Sequence, residues 1–224
     1  KEESINVILE LASMKQSKQI KRLFVMGCLS GRYIDDLPSE IPEVDKFYGK
    51  FSWNEIVSDL GKSYHQESAL QRTITTPSHF AYLKISEGCN RHCAYCAIPI
   101  ITGRHQSRPM EEIVSEVEWL VQQGVKEFQV IAQDLSYYGK DLYGEFRLAE
   151  LIEKISDVPG VQWIRLHYAY PAKFPYDILR VIRERDNVCN YLDIALQHVS
   201  DPVLQRMRRN VSSKETIELI RRIR

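Results

Sequence analysis

Three of the chain's five cysteines fall in Cys89-Asn90-Arg91-His92-Cys93-Ala94-Tyr95-Cys96, spaced C-x3-C-x2-C. Thiolates gathered this closely select zinc, copper(I) or an iron–sulfur cluster. Structural zinc takes four protein ligands in a closed tetrahedron, and no fourth stands out here. His92 lies between the cysteines and Cys189 far downstream. Ferredoxin-type runs also supply a fourth cysteine, which this run lacks. Three thiolates on a cubane cluster would leave one iron open to an exogenous ligand. A non-enzymatic zinc module is the competing reading.

The elements around the cysteines say where they sit. Residues 80–86, Phe-Ala-Tyr-Leu-Lys-Ile-Ser, read as a strand, so the cysteines occupy the loop leaving its C-terminal end. A helix follows from about Met110 to Gln123, with Ile113, Val114, Val117, Leu120 and Val121 inward and Gly124 as its stop. Strands over 126–132, 162–168 and 191–196 then alternate with helices near 147–156, 176–185, 202–207 and 213–223. Repeated βα units imply an α/β fold with a parallel sheet, here an open or partial barrel. Function in such a fold sits on the loops at the strand C-terminal ends. That rule gathers Cys89, Cys93 and Cys96 with Gln133, Asp134, His167, Gln197 and His198 around one mouth. Taken alone, His167 also reads as a satisfied core histidine, and His198 is open between the two roles. Arg104 and Arg108 follow the cysteine loop and could orient it, while Ser107-Arg108-Pro109 reads as the start of a helix.

Upstream lies a smaller α/β piece. Ile5, Ile8, Leu9 and Ala12 give residues 3–16 one apolar helical face. Residues 22–26 form a short strand running into Gly27-Cys28, and residues 53–60 a second helix. A thiol on a tight turn at a strand end suits a ligand, though a small buried cysteine fits the same residues. About 60 residues are too few to hold the cysteine loop in their own core. The expected division is a domain over 1–61, an aperiodic linker over 62–78, and a main domain over 79–224. Both ends fall within helical patterns, so a fragment of a longer protein is expected.

Thirty basic and thirty acidic residues cancel, which removes any global attraction to nucleic acid. Arg206-Met207-Arg208-Arg209 and Arg221-Arg222-Ile223-Arg224 read as solvated helix faces. No apolar run approaches a membrane span, and no signal peptide is visible. An odd number of cysteines, clustered as ligands, fits a reducing compartment and a soluble cytoplasmic protein.

With Tyr95 as the aromatic, C-x3-C-x-aromatic-C resembles the motif of radical S-adenosylmethionine (SAM) enzymes. The resemblance implies a 4Fe–4S cluster on Cys89, Cys93 and Cys96, its open iron chelated by the methionyl end of SAM. Tyr95, Gln133, Asp134, His167 and Gln197 would then contact the cofactor. Ser86-Glu87-Gly88-Cys89-Asn90, Ile98-Pro99, Gly103-Arg104 and Ser107-Arg108, with Gly27-Cys28-Leu29 upstream, resemble the methylthiotransferases of that superfamily. Their architecture implies a flavodoxin-like N-terminal domain, truncated here, before a partial radical-SAM barrel. Cys28 would be one of three ligands of an auxiliary 4Fe–4S cluster. The other two cysteines would precede Lys1 and a β-barrel domain would follow Arg224, so this fragment alone is expected to be inactive. Ala132-Gln133-Asp134, Tyr137-Tyr138-Gly139-Lys140-Asp141-Leu142, Arg32-Tyr33, residues 40–45 and Leu196-Gln197-His198 look like the branch acting on a ribosomal protein. The implied substrate is the β-carbon of an aspartate on a small-subunit ribosomal protein, with an external electron donor. The related tRNA-modifying enzymes, which typically carry Gly-Gln-Asn at the second loop, are the alternative.

Overall fold

The computed structural model describes residues 1–50, 52–62 and 72–224. The core of the stretch expected as a linker, residues 63–71, lies outside the described residues. The chain divides into two compact units. One contains the described residues up to Lys62 together with Ile100–Thr102, the other the described residues from Arg72 to Pro99 and Gly103–Arg224.

In the first unit, helix α1 (Glu2–Gln16) lays Ile8 and Ala12 on Leu23, Leu37, Ile41, Val44 and Phe47. Strand β1 (Phe24–Met26) is followed by α2 (Cys28–Arg32) and α3 (Leu37–Glu40), short helices not anticipated from sequence. Strand β2 (Lys46–Tyr48) pairs with β1 in parallel, and α4 (Trp53–Asp59) closes the unit. Asp45 fixes the register by accepting the Leu23 N–H at 2.6 Å and an ion pair from Lys15 at 2.7 Å. Gly27, at φ 135°, makes the turn into α2 and leaves Cys28 exposed on its first residue.

The second unit carries the larger core. Strand β3 (Phe80–Lys84) leads to β4 (Ser86–Glu87), the cysteine loop, α5 (Ile98–Thr102) and β5 (Gln106–Ser107). Then come α6 (Met110–Gln122), β6 (Glu127–Ile131), a 3₁₀ turn at Leu135–Tyr137 and α7 (Leu148–Ser156). The chain continues through β7 (Trp163–Ala169), α8 (Ile178–Glu184), β8 (Val188–Ile194), α9 (Asp201–Arg206) and α10 (Ser213–Ile223). Strands β3, β6, β7 and β8 form a four-stranded sheet in that order, every pair parallel.

Alternation along the strands explains the layering. Ala81, Leu83, Phe128, Val130, Ile164 and Leu166 are buried in one core with Ile113, Val117, Leu120, Leu151, Ile152 and Ile155 of the helices. Tyr82, Gln129, Arg165 and His167 alternate with them and stay at least partly exposed. Strand order that follows chain order, with helices on one face, is the winding of a barrel rather than of a doubly wound sheet. The expected α/β architecture with a parallel sheet is therefore present. Strand β8 starts three residues before the 191 expected. No described helix is long and apolar enough to cross a membrane.

The cysteine loop is tied at its base. Strand β4 pairs antiparallel with β5, Ser86 opposite Ser107 and Glu87 opposite Gln106. Asp141 holds Ser107 by its N–H at 2.8 Å and its hydroxyl at 2.6 Å. Cys89 N–H donates to the Gly103 carbonyl at 3.3 Å, so the loop is closed at its first cysteine. Gly88 makes this possible at φ 77°, where a Cβ would fall onto the Arg104 carbonyl oxygen. Gly103 has a similar φ of 73° but open space where its Cβ would stand. Gly88→Ala therefore costs left-handed strain, about 1–3 kcal/mol, plus a backbone clash, whereas Gly103→Ala costs the strain alone. Urea denaturation should rank Gly88→Ala as clearly the less stable; equal losses would contradict this account of the loop base.

Candidate metal centre

Loops at the C-terminal edge of the second unit's sheet enclose a cavity of about 260 Å³. Cys89, Cys93 and Cys96 line it together with Gln133, Gln197 and Arg209. All three cysteines are unpaired thiols, Cys89 and Cys93 buried and Cys96 half-buried. Burial raises the Cys89 thiol above its ordinary range, although the Arg91 N–H at 3.4 Å from its sulfur works against that. Among the described residues, no three His, Cys, Asp or Glu side chains converge as ligands of a single metal ion. The thiols instead line one cavity side by side, an arrangement suited to ligands of separate irons.

Two polar atoms at this cavity are buried without a hydrogen-bond partner: Gln133 Oε1, an acceptor, and Arg209 Nε, a donor. An orphan of this kind ordinarily costs about 1–3 kcal/mol, so a pair at one cavity is the mark of a ligand site. Gln133 is aimed by its amide Nε2, which donates to Glu87 Oε2 at 2.9 Å. Tyr168 and Gln197, also in the lining, hold positive φ angles of 77° and 68°. Strain at non-glycine residues collects where a backbone must present a group to a ligand.

The remaining residues expected around the mouth divide. Tyr95 lines the cavity, its hydroxyl 3.4 Å from Arg209 Nη1. Asp134 stands behind the wall at 2% exposure, accepting from Arg91 Nε at 2.8 Å and from the Ser136 N–H at 3.1 Å. His167 does not line the cavity: its Nε2 lies 2.6 Å from Gln129 Oε1, and its ring leans on Tyr191. His198 is exposed, and its Nδ1 accepts the Ser200 N–H at 2.9 Å ahead of α9. His92 and Arg104 are exposed and outside this cavity. Arg108 is spent on the Lys84 carbonyl and on Glu116, each at 2.7 Å. Cys189 lies in β8, away from the other thiols.

Sequence reasoning missed three residues here. Arg91, Tyr170 and Arg209 form a stack, each guanidinium carbon 4.1 Å from the Tyr170 ring centre. Both cations therefore meet the same ring, which links the cysteine loop to the segment after α9. Burial raises the Tyr170 phenol well above its ordinary range, and it stays neutral as a donor to the Arg209 carbonyl. Arg209 corrects the expectation of a solvated helix face. It follows the end of α9 and is 3% exposed. Only its place in a basic run that straddles a helix end hinted at a separate role.

A family model described as the radical SAM superfamily matches residues 83–224. A ribosomal protein uS12 methylthiotransferase RimO from Parabacteroides distasonis is 66% identical over 223 residues, which is 100% of this chain and 52% of that protein. A RimO from Bacteroides fragilis is also 66% identical at the same coverage, and one from Porphyromonas gingivalis 63%, over 51% of its length. The chain thus spans about half the length of the curated relatives it matches. Among solved structures, the cobalamin-dependent SAM radical enzyme OxsB, with aqua-cobalamin and SAM bound, superposes at a TM-score of 0.69. Identity is 11%, covering 100% of this chain and 37% of that one. The radical SAM methyltransferase TsrM from Kitasatospora setae, with tryptophan and a SAM analogue, gives 0.66 at 13% identity, covering 97% and 49%. At such identities the likeness is one of fold. The family match runs from Leu83, inside β3, through the cysteine loop and the remaining strands of the parallel sheet, and by it this chain belongs to the radical SAM superfamily.

Proposed function

We propose that this chain is the catalytic core of a methylthiotransferase that modifies the β-carbon of an aspartate on a small-subunit ribosomal protein. The observation that carries the reading is the three-thiol cavity with its two orphaned polar atoms, in a chain 66% identical along its length to proteins named for that activity. Membership of the superfamily brings an iron–sulfur cluster and SAM as cofactors. When bound, they supply homolytic removal of hydrogen from an unactivated carbon, chemistry that no side chain can do.

The residues present fit these groups. Cys89, Cys93 and Cys96 would hold a 4Fe–4S cluster, three ligands leaving one iron for SAM. Gln133 Oε1 would accept from the methionyl ammonium, the donor it lacks at present. Tyr95 and Gln197 would wall the adenosyl side. Asp134 would act at one remove, by holding Arg91. His167, fixed by Gln129, would stand on the open sheet face where substrate approaches. In the first unit, Cys28 would serve as a ligand of the auxiliary cluster, a role its exposed place beside Gly27 leaves free. An external electron donor and a cytoplasmic ribosomal substrate complete the reading.

A hydrogen bond to a charged group contributes about 1.5–3 kcal/mol, so Gln133→Ala should weaken SAM binding roughly ten- to hundredfold by equilibrium dialysis. An unchanged Kd would remove Gln133 from the cofactor site. In cells carrying Cys93→Ala at the native locus, mass spectrometry should find the ribosomal aspartate without its methylthio group and methylthioadenosine in tRNA undiminished. Loss of the tRNA modification instead would favour the nucleic-acid substrate.

A further inference from the structure

We infer that Arg209 is a positioning residue for the metal centre, whose positive charge, delivered to the Cys93 sulfur, raises the reduction potential of the bound cluster. The inference rests on the reading that Cys89, Cys93 and Cys96 hold an iron–sulfur cluster. Its grounds are geometric.

Arg209 is buried at the cavity wall, and its Nη1 lies 3.5 Å from Cys93 Sγ. The other guanidinium contacts lock that approach. Nη2 donates to the Ala195 carbonyl just past β8, and the guanidinium carbon stands 4.1 Å from the Tyr170 ring centre. Tyr170 is itself fixed, its N–H donating to Ser136 Oγ at 3.1 Å and its hydroxyl to the Arg209 carbonyl. The ring therefore holds Arg209 at both ends, side chain and backbone. The backbone pays for this presentation. Arg208, just before it, sits at φ 54°, in the left-handed region that most non-glycine residues avoid, and Asn210, of a type that enters that region readily, follows at 48°. The same turn clasps the cysteine loop directly, because the Ala94 N–H donates to the Met207 carbonyl at 3.0 Å. Strain, burial and a stacked platform converge on one guanidinium beside one thiol.

No carboxylate neutralises this cation among the described residues: the buried Asp134 is paired with Arg91. Nε remains a buried donor with no acceptor, left over for whatever fills the cavity. A cluster on three thiolates is anionic and gains a further negative charge on reduction. A fixed cation in a site shielded from water stabilises the reduced form more than the oxidised one. Net charge and hydrogen bonds to sulfur are two of the levers that set such potentials, beside cluster type and solvent exposure, and Arg209 supplies both. Arginine suits the task because it stays charged when buried and stacks on an aromatic face.

The test is a redox titration, followed by electron paramagnetic resonance, of the anaerobically reconstituted chain and of Arg209→Met and Arg209→Lys. Iron and sulfide contents are measured in parallel. The inference expects Arg209→Met to keep its cluster and to be harder to reduce by at least tenfold in the equilibrium, about 59 mV for one electron. Arg209→Lys, which keeps the charge, should recover most of that difference. A potential unchanged in Arg209→Met at full iron content would overturn the inference. If Arg209→Met holds no cluster while Arg209→Lys does, charge at Cys93 is required even for assembly, which supports it. Loss of iron from both variants alike would reduce Arg209 to a packing role and overturn it. Failure of the unaltered chain to assemble a cluster would instead refute the cluster reading beneath it.

Discussion

A buried ion pair, Arg91 with Asp134, is the interaction on which the site depends. Arg91 lies inside the cysteine loop and Asp134 just beyond β6, so their 2.8 Å contact joins two successive βα loops. Asp134 spends its remaining capacity on Ser136, whose hydroxyl in turn accepts from the Tyr170 N–H in the loop after β7. A third loop is thereby tied to the first two. Removing one partner of such a pair strands a charge and costs about 3–5 kcal/mol, so the loops keep or lose their arrangement together. Tyr170 then carries the constraint onward, because the guanidinium groups of Arg91 and Arg209 each lie 4.1 Å from its ring centre. The last loop, following α9, is held through that ring.

This network explains how loops from separate βα units hold one thiol-lined cavity. Each cysteine sits on a short, irregular segment that could not hold its conformation through regular hydrogen bonds. The parallel sheet supplies rigid ends, and buried polar contacts between loops supply the rest. Of the six described non-glycine residues at positive φ, Tyr168 and Gln197 line the cavity and Arg208 adjoins its Arg209, while Lys18, Lys173 and Asn210 stand outside the lining. Such strain persists only where the surroundings over-determine the conformation. Gln133 Oε1 and Arg209 Nε, buried and unsatisfied, extend the same logic from backbone to side chain.

The regular part of this architecture is legible in the sequence because its signals are local. The apolar stripe of α6 and the alternation of β3 and β6 need no tertiary information. Strand β8 is harder: Asp186-Asn187 resembles a turn, yet the Asn187 carbonyl already accepts the Ile164 N–H and starts the ladder. Strands β2, β4 and β5 span only two or three residues, too short for any period to show. The cysteine motif and the Gln133 and Gln197 positions follow from spacing and from the strand-end rule. Arg91, Tyr170 and Arg209 do not, because their roles come from contacts across 39 to 116 positions of chain. His167 illustrates the converse. It stands near a strand end as expected, but at the start of the irregular stretch between Leu166 and Ala169, and only the residues after it, Tyr168 to Tyr170, line the cavity.

The claim beneath the whole account is that the three thiols hold an iron–sulfur cluster with one iron left open to SAM. Electron paramagnetic resonance of the anaerobically reconstituted, reduced chain, with and without SAM, tests it directly. The account predicts a cubane signal that changes when SAM is added. A signal indifferent to SAM, or a preparation containing zinc and no inorganic sulfide, would contradict it.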